Sequence, residues 1–421
     1  MSGSLVVEAG DKRDRLLQVR ERYLHESAAY DAWAEAANLS YETAAWLLAR
    51  PVEPLNSIHD LPSRPASYAL VATDGSQIDL ERHGMAMCYV INVGRVFLRY
   101  GEHPAAKLSS TPALYYRDED LYLTDGVRRV AIEGNYLSAR RDVEEGVALV
   151  GLADEFLLER STKDTKEHDL ETSLGVASRA FADHPSSRNF ADQTPAIALQ
   201  DGTLVRWTLA GAEKFVQDHF LRTYLAYLDD MRSRSIPVAS YISRPRSPEV
   251  TGTIRLMFCP DVNLHEKRGA KCSECSDIAA GREPSCAPCQ NLTDADVLTD
   301  MLEDGQRGPL FLSMSRINIE SYGPHQIYFF YMRVGREIGR VEMPQWVAED
   351  PAAVDLIHSL IYDQCMKGQG YPVALARAHE QAIVRTADRR AFLSMVENSL
   401  LRAELPAASS RKRDSKERQA L

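Results

Sequence analysis

SYALVATDGSQ, residues 67–77, and AIALQDGTL, residues 196–204, decide how the chain is read. Each opens as a short run of small and apolar residues, the pattern of a buried strand. Each then reaches Asp-Gly followed by a hydroxyl residue, at Asp74-Gly75-Ser76 and at Asp201-Gly202-Thr203. A lone Asp-Gly is ordinarily turn chemistry. Two matched copies where strands stop point elsewhere. A buried strand that emits a carboxylate at its end holds it rigidly, and the glycine lets another group approach closely. Carboxylates presented in this way suit a divalent cation that prefers hard oxygen ligands, magnesium or manganese. The Asp-x-Asp-Gly-Thr opening of aspartyl phosphatases is excluded, because Leu199 stands where that chemistry needs its nucleophile.

Working outward, MCYVINVG (87–94) and RVFLRYG (95–101) read as a strand pair with a tight turn near Asn92–Arg95. Helical spacing runs through residues 11–50 and is closed by Pro51, and a Pro-rich connector follows over 51–65. Further helices are predicted at 127–160, 212–234, 293–304, 351–366 and 372–399. Strands are predicted at 237–243 and, as a pair, across 325–344, with RPRSPEV (244–250) as a loop. IYFFYM (327–332) is either a stacking face for single-stranded DNA or, at alternating strand spacing, sheet core. The expected organisation is an N-terminal helical segment and connector over 1–60, a main domain over 61–405 and a disordered basic tail over 406–421.

The 421 residues carry 49 basic against 60 acidic side chains, a formal charge of −11, with 44% apolar residues. That balance excludes a largely disordered chain. No apolar run reaches the roughly 18 residues of a membrane helix. The polar N-terminus lacks a secretory signal's apolar segment, so a cytoplasmic protein is expected. Net acidity argues against a nonspecific nucleic-acid coat, but not against an enzyme with a local basic groove and a metal-holding acidic site.

Of seven cysteines, Cys272, Cys275, Cys286 and Cys289 form C-x2-C, ten residues, C-x2-C, inside a Cys-rich insert at about 259–292. The odd total argues against a disulfide scaffold. Two such pairs converge naturally on one tetrahedral ion, with zinc the default and an iron–sulfur cluster the minority option. Cys259 is a spare candidate ligand. Cys88 and Cys365 read as core residues.

Five blocks in order resemble the NurA nuclease family. They are ATDGSQIDLERHGMAMCYVINVGRVFLRYG (72–101), LQDGTL (199–204), YISRPRS (241–247), GREIGRVEMPQWV (335–347) and GYPVALARAHEQAI (370–383). The resemblance implies an α/β, RNase H-like mixed sheet flanked by helices, and a homodimer. It implies a manganese- or magnesium-dependent DNA nuclease, acting 5′ to 3′ on DNA ends and on single strands in end processing and repair. It also implies a HerA-type hexameric ATPase as partner. The chain has no Gly-x4-Gly-Lys-[Ser/Thr] loop with which to supply that motor itself.

Carried over residue by residue, the family's acidic pair falls on Asp74 and Asp201, and its Tyr and His, eight apart, fall on Tyr371 and His379. Its Arg-x3-Glu pattern fits twice in RRDVEEGVALVGLA, as Arg140/Glu144 and Arg141/Glu145. Glu145 is preferred, because Leu149, Leu152 and Ala153 follow it at helical spacing; Glu171 is an outside candidate. In a two-metal reading, Asp74 bridges ions about 3.5–4 Å apart, and Asp201, the glutamate and His379 complete their shells. Tyr371 would orient water or phosphate. Arg95, Arg99, Arg244 and Arg246 are candidate phosphate contacts, with Arg336 and Arg340 behind them; singly, each reads as a surface arginine. The rival reading is a catalytically silent DNA-binding adaptor of the same fold that docks on the ATPase. A zinc-stabilised RNA-processing protein is a third.

Overall fold

The computed structural model describes residues 2–79, 87–174 and 194–403, with side chains described at 9–79, 87–159 and 194–403. The basic tail and the side chain of Glu171 lie outside these. In chain order the strands are β1 (Ala49–Pro51), β2 (Tyr68–Ile78), β3 (Tyr89–Tyr100), β4 (Ala105–Tyr115), β5 (Tyr122–Thr124), β6 (Arg129–Ala131), β7 (Ala196–Asp201), β8 (Val238–Ser243), β9 (Phe311–Ser313), β10 (Ile327–Val334) and β11 (Glu337–Pro344). The fold is mixed α/β, its strands flanked by helices.

Two compact units divide the chain. One comprises Met1–Arg64, Leu199–Leu228 and Pro237–Ala376; the other comprises Pro65–Ala198, Asp229–Ile236 and Arg377–Leu421. Three elements are shared between them along the chain: β7, the helix Lys214–Ser233 and the helix Val373–Ala382.

The unit that holds Asp74 is built on β2, β3 and β4, neighbours in that order and antiparallel. The helix Asn135–Leu174 flanks them. Its Leu149, Leu152, Ala153 and Phe156, at i, i+3, i+4 and i+7, are at most 4% exposed, one apolar stripe turned inward. Two sequence expectations fail here. β2 does not stop at Asp74-Gly75; it runs on to Ile78, with Asp74 opposite Gly94 and Ile78 opposite Val90. The expected turn near Asn92–Arg95 is absent, because β3 is one continuous strand from Tyr89 to Tyr100. Glycine serves close packing at both positions. β4 has no sequence signature, because AAKLSSTPALY is exposed along most of its length and no buried face marks it. The helix expected from 127 starts at Asn135, and β5 and β6 pair ahead of it.

The other unit runs in the order β1–β9–β10–β11–β8, followed by the Asp201 end of β7. IYFFYM is buried at every position, which makes it sheet core and removes it as a stacking face. The helix Pro351–Lys367 buries Val354, Ile357, Leu360 and Ile361. Near the N-terminus the helices are Ser2–His25 and Tyr30–Ser40. The expected helix through Leu48 to Pro51 gives way to β1, whose Arg50 pairs with Leu312 of β9. RPRSPEV is loop only as far as Pro248, and the helix Glu249–Phe258 begins within it. The helix expected at 293–304 is short, Asp294–Leu298, and capped by Thr293.

Candidate active site

Each residue of Asp74-Gly75-Ser76 has a separate task. Asp74 Oδ2 accepts a hydrogen bond from His379 Nδ1 at 2.7 Å. Gly75 sits where the Asn135–Leu174 helix meets the strand. A Cβ there would lie 2.4 Å from Glu145 Oε1 and 2.6 Å from Arg141 Cγ. Thr73 Oγ1 donates to the backbone carbonyl of Glu145 at 3.1 Å, pinning that helical turn to the strand. Ser76 Oγ donates to the carbonyl of Ala382, at the end of the Val373–Ala382 helix. The glycine is therefore required by an approaching side chain, at a strand position with no turn.

His379 is placed by its helix. Asn92 Nδ2 donates to the carbonyls of Ala382 (2.8 Å) and Gln381 (3.2 Å), two of the carbonyls a helix C-terminus leaves open. Ser110 Oγ donates to Asn92 Oδ1 at 2.7 Å and so orients the amide. At Gly94 the helix backbone comes so near that a Cβ would lie 2.2 Å from the Ala378 carbonyl oxygen. His379 itself is 63% exposed at its side chain, whereas Asp74 is 15% exposed.

Glu145 is 6% exposed and ion-paired with Arg141, Nε to Oε1 at 3.2 Å. Glu144 instead takes Arg140 Nε at 2.9 Å and bears on Tyr115, whose phenol is pushed up to about 12 by burial and then by the Glu144 charge. The structure thus brings Glu145, and not Glu144, against the Asp74-Gly75 segment. Arg141 is a participant that sequence reasoning used only as a spacing marker.

In the other unit, Asp201 is the last residue of β7 and is exposed. Tyr371 donates its hydroxyl to Asp201 Oδ1 at 2.5 Å, and its ring meets that of Tyr241 edge-on. Gly202 has φ +75°, a left-handed backbone that favours glycine, and donates to the Tyr241 carbonyl at 3.3 Å. Here Asp-Gly does end the strand, as expected. Thr203 Oγ1 and the Leu204 amide both donate to Glu342 Oε2, at 2.9 and 2.7 Å. Glu342 carried no signal of its own in the sequence.

The arginines predicted to contact phosphate are mostly engaged. Arg95 pairs with Glu155 at 2.7 Å, and Arg99 donates to the His103 carbonyl at 2.6 Å. Arg244 is 80% exposed and donates to Glu337. Arg246 is exposed. Arg340, read singly as a surface arginine, is 2% exposed between Glu249 and Glu342, a correction explained by β11 being buried on both faces from Ile338 to Pro344.

All seven cysteines are free thiols. Burial pushes the Cys289 thiol up to about 12. Burial raises Cys286 too, with the charges of Cys272 and Cys275 adding to the rise. The loop between the pairs is closed by Asp277. It accepts from the Ser285 amide (2.9 Å), the Ser285 hydroxyl (2.7 Å) and Arg282 (2.8 Å), and these bonds hold its carboxyl down at about 2. Among the described residues, no three His, Cys, Asp or Glu side chains are gathered as a metal-holding group. Nor is any helix among them long and apolar enough to cross a membrane.

These features define an α/β protein whose carboxylates sit at glycine-flanked strand positions, one joined to an imidazole and one to a phenol. A family model described as the NurA domain matches residues 68–384, three quarters of the chain, and the chain belongs to the NurA family, a family of nucleases. No curated protein matches it.

Proposed function

We propose that the protein is a metal-dependent DNA nuclease, a 5′ to 3′ exonuclease and single-strand endonuclease, serving DNA-end processing and double-strand-break repair. The observation that carries this reading is the Asp74–His379 pair, set beside a glycine against which Glu145 is packed. An RNase H-like sheet, a homodimer and a HerA-type ATPase partner rest on family membership.

The carboxylates fit manganese or magnesium, which favour hard oxygen ligands, and the imidazole favours manganese of the two. Asp74, Glu145 and His379 would hold metal in one unit, and Asp201 in the other. Bound there, such ions polarise the phosphoryl group and lower the pKa of water. The remaining work belongs to the chain. By accepting from Nδ1, Asp74 selects the His379 tautomer that leaves Nε2 as the basic nitrogen, able to bind a ligand or take a proton. Tyr371 fixes one oxygen of Asp201. Arg141 balances Glu145, a nearly buried carboxylate that would otherwise be costly to ionise. Backbone contacts from Arg244 and Arg246 would position DNA without reading its sequence. Arg95 and Arg99 would first have to leave their present partners.

The test is cleavage of end-labelled linear and single-stranded DNA in manganese, magnesium or EDTA, with Asp74→Ala and Asp201→Ala beside wild type. Metal-dependent cutting by wild type and its loss in both variants is the expected result. Silence in every metal, persisting after a HerA-type ATPase is added, would end the nuclease reading and leave the adaptor. Structural zinc at Cys272, Cys275, Cys286 and Cys289 is a separate proposal, supported by their paired C-x2-C spacing. Metal analysis of the purified chain should find one equivalent of zinc, removed together by Cys272→Ser and Cys286→Ser.

A further inference from the structure

We infer that Glu342 is a positioning residue for Asp201, acting through the backbone of the turn that follows it. The inference rests on the nuclease reading, in which Asp201 is part of the machinery.

Asp201 ends β7, and past it the chain leaves the sheet after a bond from the Gly202 amide to the Tyr241 carbonyl of β8. The next residue, Gly202, adopts φ +75°, and a glycine turn of this kind leaves the chain its greatest freedom. Glu342 restrains it at the donors of residues 203 and 204, while the Tyr322 hydroxyl holds the Leu204 carbonyl at 2.8 Å. Glu342 lies in the middle of β11, opposite Phe329 on one neighbour and Ser240 on the other. Its Oε2 accepts from both Thr203 Oγ1 (2.9 Å) and Leu204 N (2.7 Å). Thr203 Oγ1 in turn accepts from the Val205 amide at 3.1 Å, which closes the turn on itself.

The same carboxylate is held from its other oxygen. Arg340 Nε donates to Glu342 Oε1 at 2.8 Å. The Arg340 guanidinium continues to Glu249 Oε1 at 2.8 Å and to the Tyr331 hydroxyl at 3.3 Å. It also lies 3.6 Å over the Phe329 ring. Glu249, Arg340 and Glu342 are each at most 2% exposed. Two carboxylates thus share one guanidinium in the sheet interior. Such groups are expensive to bury, and well-packed apolar residues of similar volume commonly do at least as well for stability. An apolar pair would not supply a rigid acceptor for the two donors of residues 203 and 204. The network's specific product is the placement of the Asp201 turn.

This separates positioning from mere structure. Glu342→Gln leaves one carboxylate for one guanidinium, so folding should survive, while the acceptor for the Leu204 amide and the Thr203 hydroxyl is weakened. We expect kcat for DNA cleavage to fall by about 10- to 100-fold, the scale of a small misplacement of a reacting group, with KM within about twofold. Amide hydrogen exchange should quicken across residues 199–207 and stay unchanged across 327–334. Thr203→Val should move both readouts the same way by less, and it decides the matter if Glu342→Gln does not fold. The proposal is overturned if kcat stays within about twofold of wild type with 199–207 as protected as before. It is equally overturned if kcat falls together with the melting temperature while 327–334 loses protection too. A wild type that never cleaves would refute the nuclease reading instead, and the exchange measurement would still decide whether Glu342 holds the turn.

Discussion

Gly75 and Gly94 face each other across β2 and β3 one residue out of register, and a methyl group added at each meets a different kind of obstacle. At Gly75 the nearest atoms are Glu145 Oε1 (2.4 Å) and Arg141 Cγ and Cδ (2.6 and 2.8 Å), all on side chains that can swing aside. Gly75→Ala should therefore cost about 1–3 kcal/mol, the ordinary penalty of overpacking, and abolish cleavage by displacing Glu145. At Gly94 the obstacles include helix backbone, the Ala378 carbonyl at 2.2 Å and the Ala382 amide at 2.6 Å. The whole helix must lift, so Gly94→Ala should cost more than Gly75→Ala. Urea denaturation of the two variants measures the difference; equal midpoints would refute the account. The sequence marks both positions as glycine but not the reason. A turn and a close approach call for the same residue, and Asp74-Gly75 and Asp201-Gly202 turned out to be one of each.

The Val373–Ala382 helix is held at its C-terminal end by two side chains. Asn92 satisfies the Gln381 and Ala382 carbonyls, and Ser76 shares the second of them. Asn92→Ala should leave half-buried carbonyls short of donors, at about 1–3 kcal/mol. Because the same helix carries His379, cleavage should fall further than stability alone accounts for, and adding Ser76→Ala should deepen both losses. A variant that loses stability and keeps full activity would show that His379 is held by Asp74 alone. The helix itself was legible from its alanine-rich spacing, and its break near 383–385 was not, since nothing local in GYPVALARAHEQAI announces the partners that cap it.

For the molecule as a whole, two aspartates give opposite dependences of stability on pH. Burial, and the charge of Glu249 beside it, raise the Asp294 carboxyl from 3.8 to about 6, despite bonds from the Val250 and Thr251 amides and the Tyr331 hydroxyl. The folded state then holds this proton more tightly than the unfolded chain. Its contribution is full below about pH 4 and is lost as pH rises through 6, a loss of about 3 kcal/mol for a shift of this size. Asp277, held down at about 2, contributes above about pH 4 and loses that contribution as pH falls through 2. Urea midpoints between pH 4 and 7 should fall with rising pH, and Asp294→Asn should flatten that slope; an unchanged slope would refute the assignment. At this scale the division between sequence and structure is clear. By itself the sequence determined the α/β class, most long helices, the strand pair at 325–344 and the family, because apolar periodicity and short motifs are local. Only the tertiary structure decided that Glu145 and not Glu144 reaches Gly75, that Arg95 is spoken for by Glu155, that Arg340 is interior, and that Glu342 holds the turn after Asp201. Each of those depends on which side chains are brought together from positions tens to hundreds of residues apart, and distance along the chain carries no record of distance in space.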